Sequence, residues 1–303
     1  MGHVNAPATD TPSRDSYYGN SIINPPVWEE REIAGYLFLG GLAGASSILA
    51  AGAKGAGHPR LSRRAGVSAS AAISLSFAAL IKDLGRPARF VNMLRVLKPT
   101  SPMSVGTWLL SAYAPLVYGT TASELLGRAP RGGRLAGAGA GVLGSAVATY
   151  TAALIADTAV PAWHEGHREL PFLFAGSAAS AAGGLGLLIA PRQESGPARR
   201  MAVLGAAGEL IADRVLERGL GIVAPALHEG VAGRRLTAAR GLTAAGAALA
   251  LTTGRRSRLL SGCAGAALVA GSALTRFGLF AAGVQSARDP RYTVELQRHR
   301  SAA

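Results

Sequence analysis

Long uncharged apolar runs alternate with short polar, arginine-rich connections along this chain. A run of about 20 apolar residues is long enough to cross roughly 30 Å of hydrocarbon as a helix. The pattern predicts eight spanning helices, at about Ile33–Ala53, Ala65–Ile81, Met103–Ala122, Ala136–Val160, Pro171–Ala190, Ala198–Ile222, Leu236–Thr253 and Leu259–Ser286. Gly40 and Gly44, and again Gly137 and Gly141, stand four residues apart, the spacing that lets helices pack closely in a bilayer. The sixth run is the most polar. Glu209, Asp213 and Glu217 recur every four residues and share one helix face. The competing reading makes that run an amphipathic surface helix and leaves seven spans. Residues 1–32 read as a polar tail and membrane-edge segment, and residues 287–303 as a second polar tail. The segment Met1 to Ser16 has no basic stretch leading into an apolar core, so a disordered tail is expected there rather than a cleaved signal.

Composition sharpens this picture. Hydrophobic residues make up 49% of the 303 positions and charged residues only 16%. The formal net charge of +14 raises the question of nucleic acid. The lysines and arginines lie between apolar runs instead of in one patch, which favours membrane lipid headgroups as the counter-charge and argues against a nucleic-acid partner. The single cysteine, Cys263, sits inside an apolar run and excludes an internal disulfide or an iron–sulfur cluster ligated by this chain.

An even number of crossings has a geometric consequence. The N-terminal segment, the 82–102 loop, the 157–170 loop, the 219–235 segment and the C-terminal tail all fall at one membrane face, termed the near face below. The 82–102 loop is the most densely functional stretch, reading KDLGRPARFVNMLRVLKPTSPM from Lys82 to Met103. Pro87 breaks any helix continuing from Asp83, and a short amphipathic piece is expected over Ala88–Leu97. Glu32, Asp83, Arg86, Tyr150, Asp157 and His164 are all delivered to the near face. The lysine and arginine bias between the two faces is too small to orient the chain.

The chemistry these residues permit is narrow. None of the six histidines falls at mid-depth in a predicted span, which argues against a bis-histidine haem. No phosphate-binding loop, nucleophile elbow or dinucleotide fingerprint stands in its required context. What remains is a slot for an amphipathic, lipid-soluble molecule such as a quinone. Tyr36, Tyr150 and His164 are candidate donors to its carbonyls, and Asp83, Asp157 and Glu32 candidate proton relays. Glu32 and Tyr36 stand four residues apart on one helix face. Plainer readings stand beside these: Asp83 simply pairs with Arg86, Tyr150 belongs to an aromatic belt, and the histidines are interfacial loop residues. In the second half, Asp213 and Arg276 fall at similar depths in helices six and eight, so a buried ion pair is expected between them, with Glu209 nearby. A secondary transporter or proton channel is the rival class. It predicts an internal repeat with broken helices at matching positions, and no clear repeat is present.

Several segments together resemble one family. They are PPVWEEREIAGYLFLGGLAGAS, DLGRPARFVNMLRVLKPTSPMSVGTW, YTAALIADTAVPAWHE, HRELPFLFAGSAASAAGGLG and GSALTRFGLFAAGVQSARDPRYTV. They are similar to the NrfD/PsrC membrane subunits of polysulfide-reductase-like complexes, across roughly residues 17–295. The resemblance implies an all-α integral membrane fold of eight transmembrane helices in two four-helix bundles, residues 33–160 and 161–286. It also implies no bound haem and an exchangeable menaquinone or ubiquinone near one membrane face. The partners it implies are a ferredoxin-like iron–sulfur subunit and a molybdopterin catalytic subunit of the polysulfide reductase or formate dehydrogenase type. The implied location is the plasma membrane. Carried onto this chain, the quinone-site candidates are Glu32, Tyr36, Asp83, Arg86 and Tyr150.

Overall fold

The computed structural model describes residues 22–24, 26, 28–85, 88–252 and 257–302. The helices among them are α1 (Glu30–Gly55), α2 (Pro59–Leu84), α3 (Ala88–Met93), α4 (Pro102–Leu126), α5 (Pro130–Ala156), α6 (Pro161–His164), α7 (Leu170–Ile189), α8 (Gly196–Gly219), α9 (Gly230–Thr252), α10 (Arg258–Arg288) and α11 (Pro290–Ala302). A 3-10 stretch, Gly221–Leu227, joins α8 to α9. Proline opens many of these helices, where its missing N–H costs nothing.

Five helices, α1, α2, α5, α7 and α10, are long and apolar enough to cross a membrane. The long helices alternate in direction, and contacts at both ends establish it. Glu29 and Glu32 at the start of α1 meet Asp83 and Lys82 at the end of α2. Lys54 at the end of α1 meets Glu124 at the end of α4. Arg64 early in α2 and Arg258 at the start of α10 both donate to carbonyls at the end of α7. Arg235 early in α9 pairs with Glu30 at the start of α1.

Packing divides by neighbour. α1, α2, α4 and α5 pack on one another, and α7, α8, α9 and α10 do the same. One continuous apolar core, from Ile33 to Tyr292, links the two sets, with α1 and α5 lying against α7 and α1 against α10. Gly44 of α1 meets the backbone of Gly144 in α5 so closely that any Cβ there would overlap it. Trp163 of α6 is 1% exposed, stacks 6.0 Å from Trp28, lies 5.4 Å from Phe280, and donates its indole N–H to the Leu279 carbonyl at 2.8 Å. The ring therefore ties the entry to α1 to the late part of α10, and satisfies the one polar group it buries.

α8 is amphipathic with its polar face inward. Glu209 and Asp213 are buried, while Leu204, Ile211 and Val215 point outward and are 72%, 65% and 48% exposed. A surface helix of a water-soluble protein would be arranged the other way round. The C-terminal segment differs from its expected form: α10 continues to Arg288 and α11 follows, with Arg291 clamped by Glu229 at 2.5 Å and Tyr292 buried. The expected helix over Ala88–Leu97 is also shorter and ends at Met93.

Candidate functional site

The site is built where the start of α1, the end of α2 and the second half of α5 come together. α1 begins at Glu30, so Glu32 and Tyr36 fall one turn apart on the same face, and that face is turned inward. Glu32 is 5% exposed and Tyr36 3%. From α2, the Lys82 ammonium reaches one Glu32 oxygen, Oε1, at 2.5 Å. The other oxygen, Oε2, is buried and has no hydrogen-bond partner among the described residues. An unpaired buried carboxylate oxygen is costly, so this atom marks a place where a donor belongs. Asp83, one residue further along α2, accepts the backbone N–H of Glu29 at 3.4 Å.

One turn deeper, the hydroxyls of Tyr36 and Tyr150 are hydrogen-bonded to each other. Tyr150 is half-buried, and its ring lies against Gly106 of α4, where a Cβ would collide with it. Gly106 thus makes the space that Tyr150 occupies. Helix α3 lies beside this end. Phe90 packs edge-on to Phe77 of α2 at 5.7 Å, and the Met93 sulfur accepts from the Thr107 hydroxyl of α4 at 3.7 Å.

Not every expected member joins. Arg86 lies outside the described residues. Asp157 is exposed at the C-cap of α5, about two turns beyond Tyr150. His164 is exposed on α6 and its ring N–H donates to the Ala156 carbonyl at 3.3 Å. Among the described residues, no hydrogen bond links either one to Glu32, Tyr36, Asp83 or Tyr150. The site also contains groups that pattern reading passed over. Lys82 was read only as a loop charge, and Gly106 not at all. Neither carries a signal in spacing, because each meets its partner across two helices.

A second polar set lies inside α7–α10, and here the expected ion pair is corrected. Asp213 is not paired with Arg276. It is gripped by Arg240 of α9, whose Nε reaches Oδ2 at 2.6 Å and whose Nη2 reaches Oδ1 at 3.2 Å. Equal depth in two helices does not bring side chains together. The face each helix presents decides it, and α9 supplies a nearer guanidinium. Arg276, 1% exposed, lies instead over the Phe174 ring at 3.7 Å and donates to the Phe174 carbonyl at 2.9 Å. Glu209 accepts the Thr275 hydroxyl at 2.8 Å, next to a Ser177–Ser272 hydroxyl pair.

A family model described as "Polysulphide reductase, NrfD" matches residues 21–285. The chain belongs to the NrfD family. With its several long apolar helices it is a membrane protein, and NrfD proteins are membrane subunits of polysulphide-reductase-type complexes. The match covers all of the near-face groups and the second polar set. No curated protein matches the chain in sequence.

Proposed function

We propose that this NrfD chain is the quinone-reactive anchor of an oxidoreductase complex in the plasma membrane, exchanging electrons with a ferredoxin-like iron–sulfur subunit that serves a molybdopterin enzyme. In this reading the eight long helices all cross, as two four-helix bundles. The outward leucine, isoleucine and valine of α8 support its crossing despite the acids on its inner face. The observation that carries the reading is the buried, unpartnered Glu32 Oε2 beside the Tyr36–Tyr150 hydroxyl pair at one membrane edge.

The residues suit a quinone of the menaquinone or ubiquinone type. A quinol hydroxyl would supply the donor that Glu32 Oε2 lacks, and a tyrosine hydroxyl is the donor a quinone carbonyl needs. Bound there, the quinone supplies two-electron, two-proton redox chemistry that this chain cannot perform with its own side chains. Glu32 holds or releases a proton at Oε2. Lys82, exposed to solvent, compensates the carboxylate's charge and connects it to the aqueous side. Tyr150 turns from Tyr36 to the ligand, and Asp83 stands beside the Glu29 amide as the next group outward. Quinone-linked turnover of the assembled complex tests this. Glu32→Gln and Tyr150→Phe abolish or sharply lower it while assembly persists; unchanged turnover in both would assign the chain a purely structural role.

A second reading draws on Glu209, Arg276 and the Asp213–Arg240 pair, whose burial suits a proton path through α7–α10. It predicts that Glu209→Gln uncouples proton movement from turnover in sealed vesicles.

A further inference from the structure

Inside α7–α10 the Glu209 carboxylate is held on one side only. Its Oε1 accepts the Thr275 hydroxyl at 2.8 Å, while Oε2 is buried and has no hydrogen-bond partner among the described residues. Ser177 does not supply one, because its single hydroxyl proton goes to Ser272. A second such group stands on α9. The Thr243 hydroxyl is buried and also lacks a partner among the described residues. Thr107, Thr120, Thr252 and Thr275 each donate to the carbonyl one turn back in their own helices, and Thr243 does not. Its oxygen lies against α10 instead: a Cβ at Gly271 would come within 2.6 Å of it. Gly271 is one turn before Thr275, the residue that holds Glu209.

Glu209 and Thr243 border one cavity of about 10 Å³. Asp213 and Arg240, which are paired with each other, and Thr275 complete its polar lining. Arg276 does not line it, and its Nη2 is engaged with the Phe174 carbonyl. A buried water needs roughly 10–15 Å³ of such space and about two to four polar partners. The partners here call for a neutral molecule that both donates and accepts. The carboxylate oxygen needs a donor and the threonine hydroxyl an acceptor. A cation would meet Arg240, and an anion would meet Glu209 and Asp213.

We propose that this cavity is a site for one bound water, which joins Glu209 to Thr243 and to the Asp213–Arg240 pair. The water accepts from the Thr243 hydroxyl, donates one hydrogen to Glu209 Oε2 and turns the other to the Asp213 carboxylate. It thereby connects Glu209 to a run of contacts leading outward. Arg240 Nη2 lies 3.5 Å from Glu217 Oε2, and Glu217 Oε1 lies 2.8 Å from Nε2 of His228, whose side chain is 44% exposed. A proton path through α7–α10 would use this link, but the water site does not depend on one, since it follows from hydrogen bonding alone.

The test is equilibrium unfolding of the purified full chain in an uncharged detergent. Thr243→Val keeps the shape and removes the hydroxyl. With a bridging water it strands Glu209 Oε2, and the unfolding constant should rise about fivefold. With a dry cavity it removes an unpaired buried hydroxyl, and the chain should be as stable as the parent or more so. Thr243→Ser keeps the hydroxyl and should cost less than Thr243→Val. In a Glu209→Met background the cost of Thr243→Val should vanish, because the two residues act through one shared molecule. A density map fine enough to show ordered water should place a peak within hydrogen-bond distance of Glu209 Oε2 and Thr243 Oγ1. That map keeps the test decisive should Glu209→Met fail to fold. A Thr243→Val chain as stable as the parent, an equal cost in both backgrounds, or no peak at that position overturns the proposal. Proton movement in sealed vesicles of Glu209→Gln bears on the proton path alone, so the two readings fail separately.

Discussion

Glu32 at the near face and Asp213 inside α7–α10 are equally buried carboxylates that are held in opposite ways. Inside α7–α10, Asp213 is held by both arms of Arg240, and Thr275 donates to Glu209. At the near face, Glu32 is just as buried but is only half satisfied, through a lysine whose side chain is 69% exposed. The Tyr36–Tyr150 bond can be exchanged for another partner without exposing a charge. Glu209 is half satisfied as well, its Oε2 buried and without a hydrogen-bond partner among the described residues, so what sets Glu32 apart is access: its partner is a largely exposed lysine, whereas Asp213 is held by a guanidinium inside the helix set. In this sense Glu32 and the tyrosine pair are exchangeable polar groups, and the Asp213–Arg240 pair is a committed one.

Mutations can break or sharpen this contrast. The largest effect is expected from Arg240→Met, which strands Asp213 in the interior. It should cost about 3–5 kcal/mol in detergent unfolding experiments. Pairing it with Asp213→Leu should recover most of that loss, since a buried ion pair replaced by apolar side chains is often neutral. Next comes Glu32→Gln, which should lower quinone-linked turnover about a hundredfold, or about 2.7 kcal/mol, with stability nearly unchanged. Tyr150→Phe should lower turnover about tenfold and stability by about 1 kcal/mol, because it removes one hydroxyl from a shared bond. Lys82→Met should be the mildest for folding, under about 1 kcal/mol, because its side chain is mostly in water. Were Lys82→Met as damaging to stability as Arg240→Met, the distinction between exchangeable and committed groups would collapse.

Much of the helical layout was legible from run length alone. The first span was expected over Ile33–Ala53 and is found at Glu30–Gly55; the fifth, expected over Pro171–Ala190, is found at Leu170–Ile189. Apolar length is a local property, so it survives without knowledge of neighbours. α11 was missed because its helix carries Arg291, Glu295 and Arg298, and polar residues of that kind read as a tail until Glu229 and the core beneath Tyr292 are in place. The near-face gathering of Glu32, Tyr36, Asp83 and Tyr150 follows from counting crossings. Their individual partners do not. Lys82 for Glu32, Arg240 for Asp213 and the Phe174 carbonyl for Arg276 each depend on how two helices are rotated about their own axes, which no spacing within one helix encodes. His164 and Asp157 were expected at the same face as the cluster, yet no hydrogen bond joins either to it among the described residues, because a shared face does not define a shared radius.

The position of α1 also bears on how the chain is made. This helix touches α2, α5, α7 and α10, so it meets the last of these neighbours only after some 230 further residues have been synthesised. Until then the face of α1 at Gly41, which in the folded chain lies against Ala178 and Arg276, is without those two neighbours.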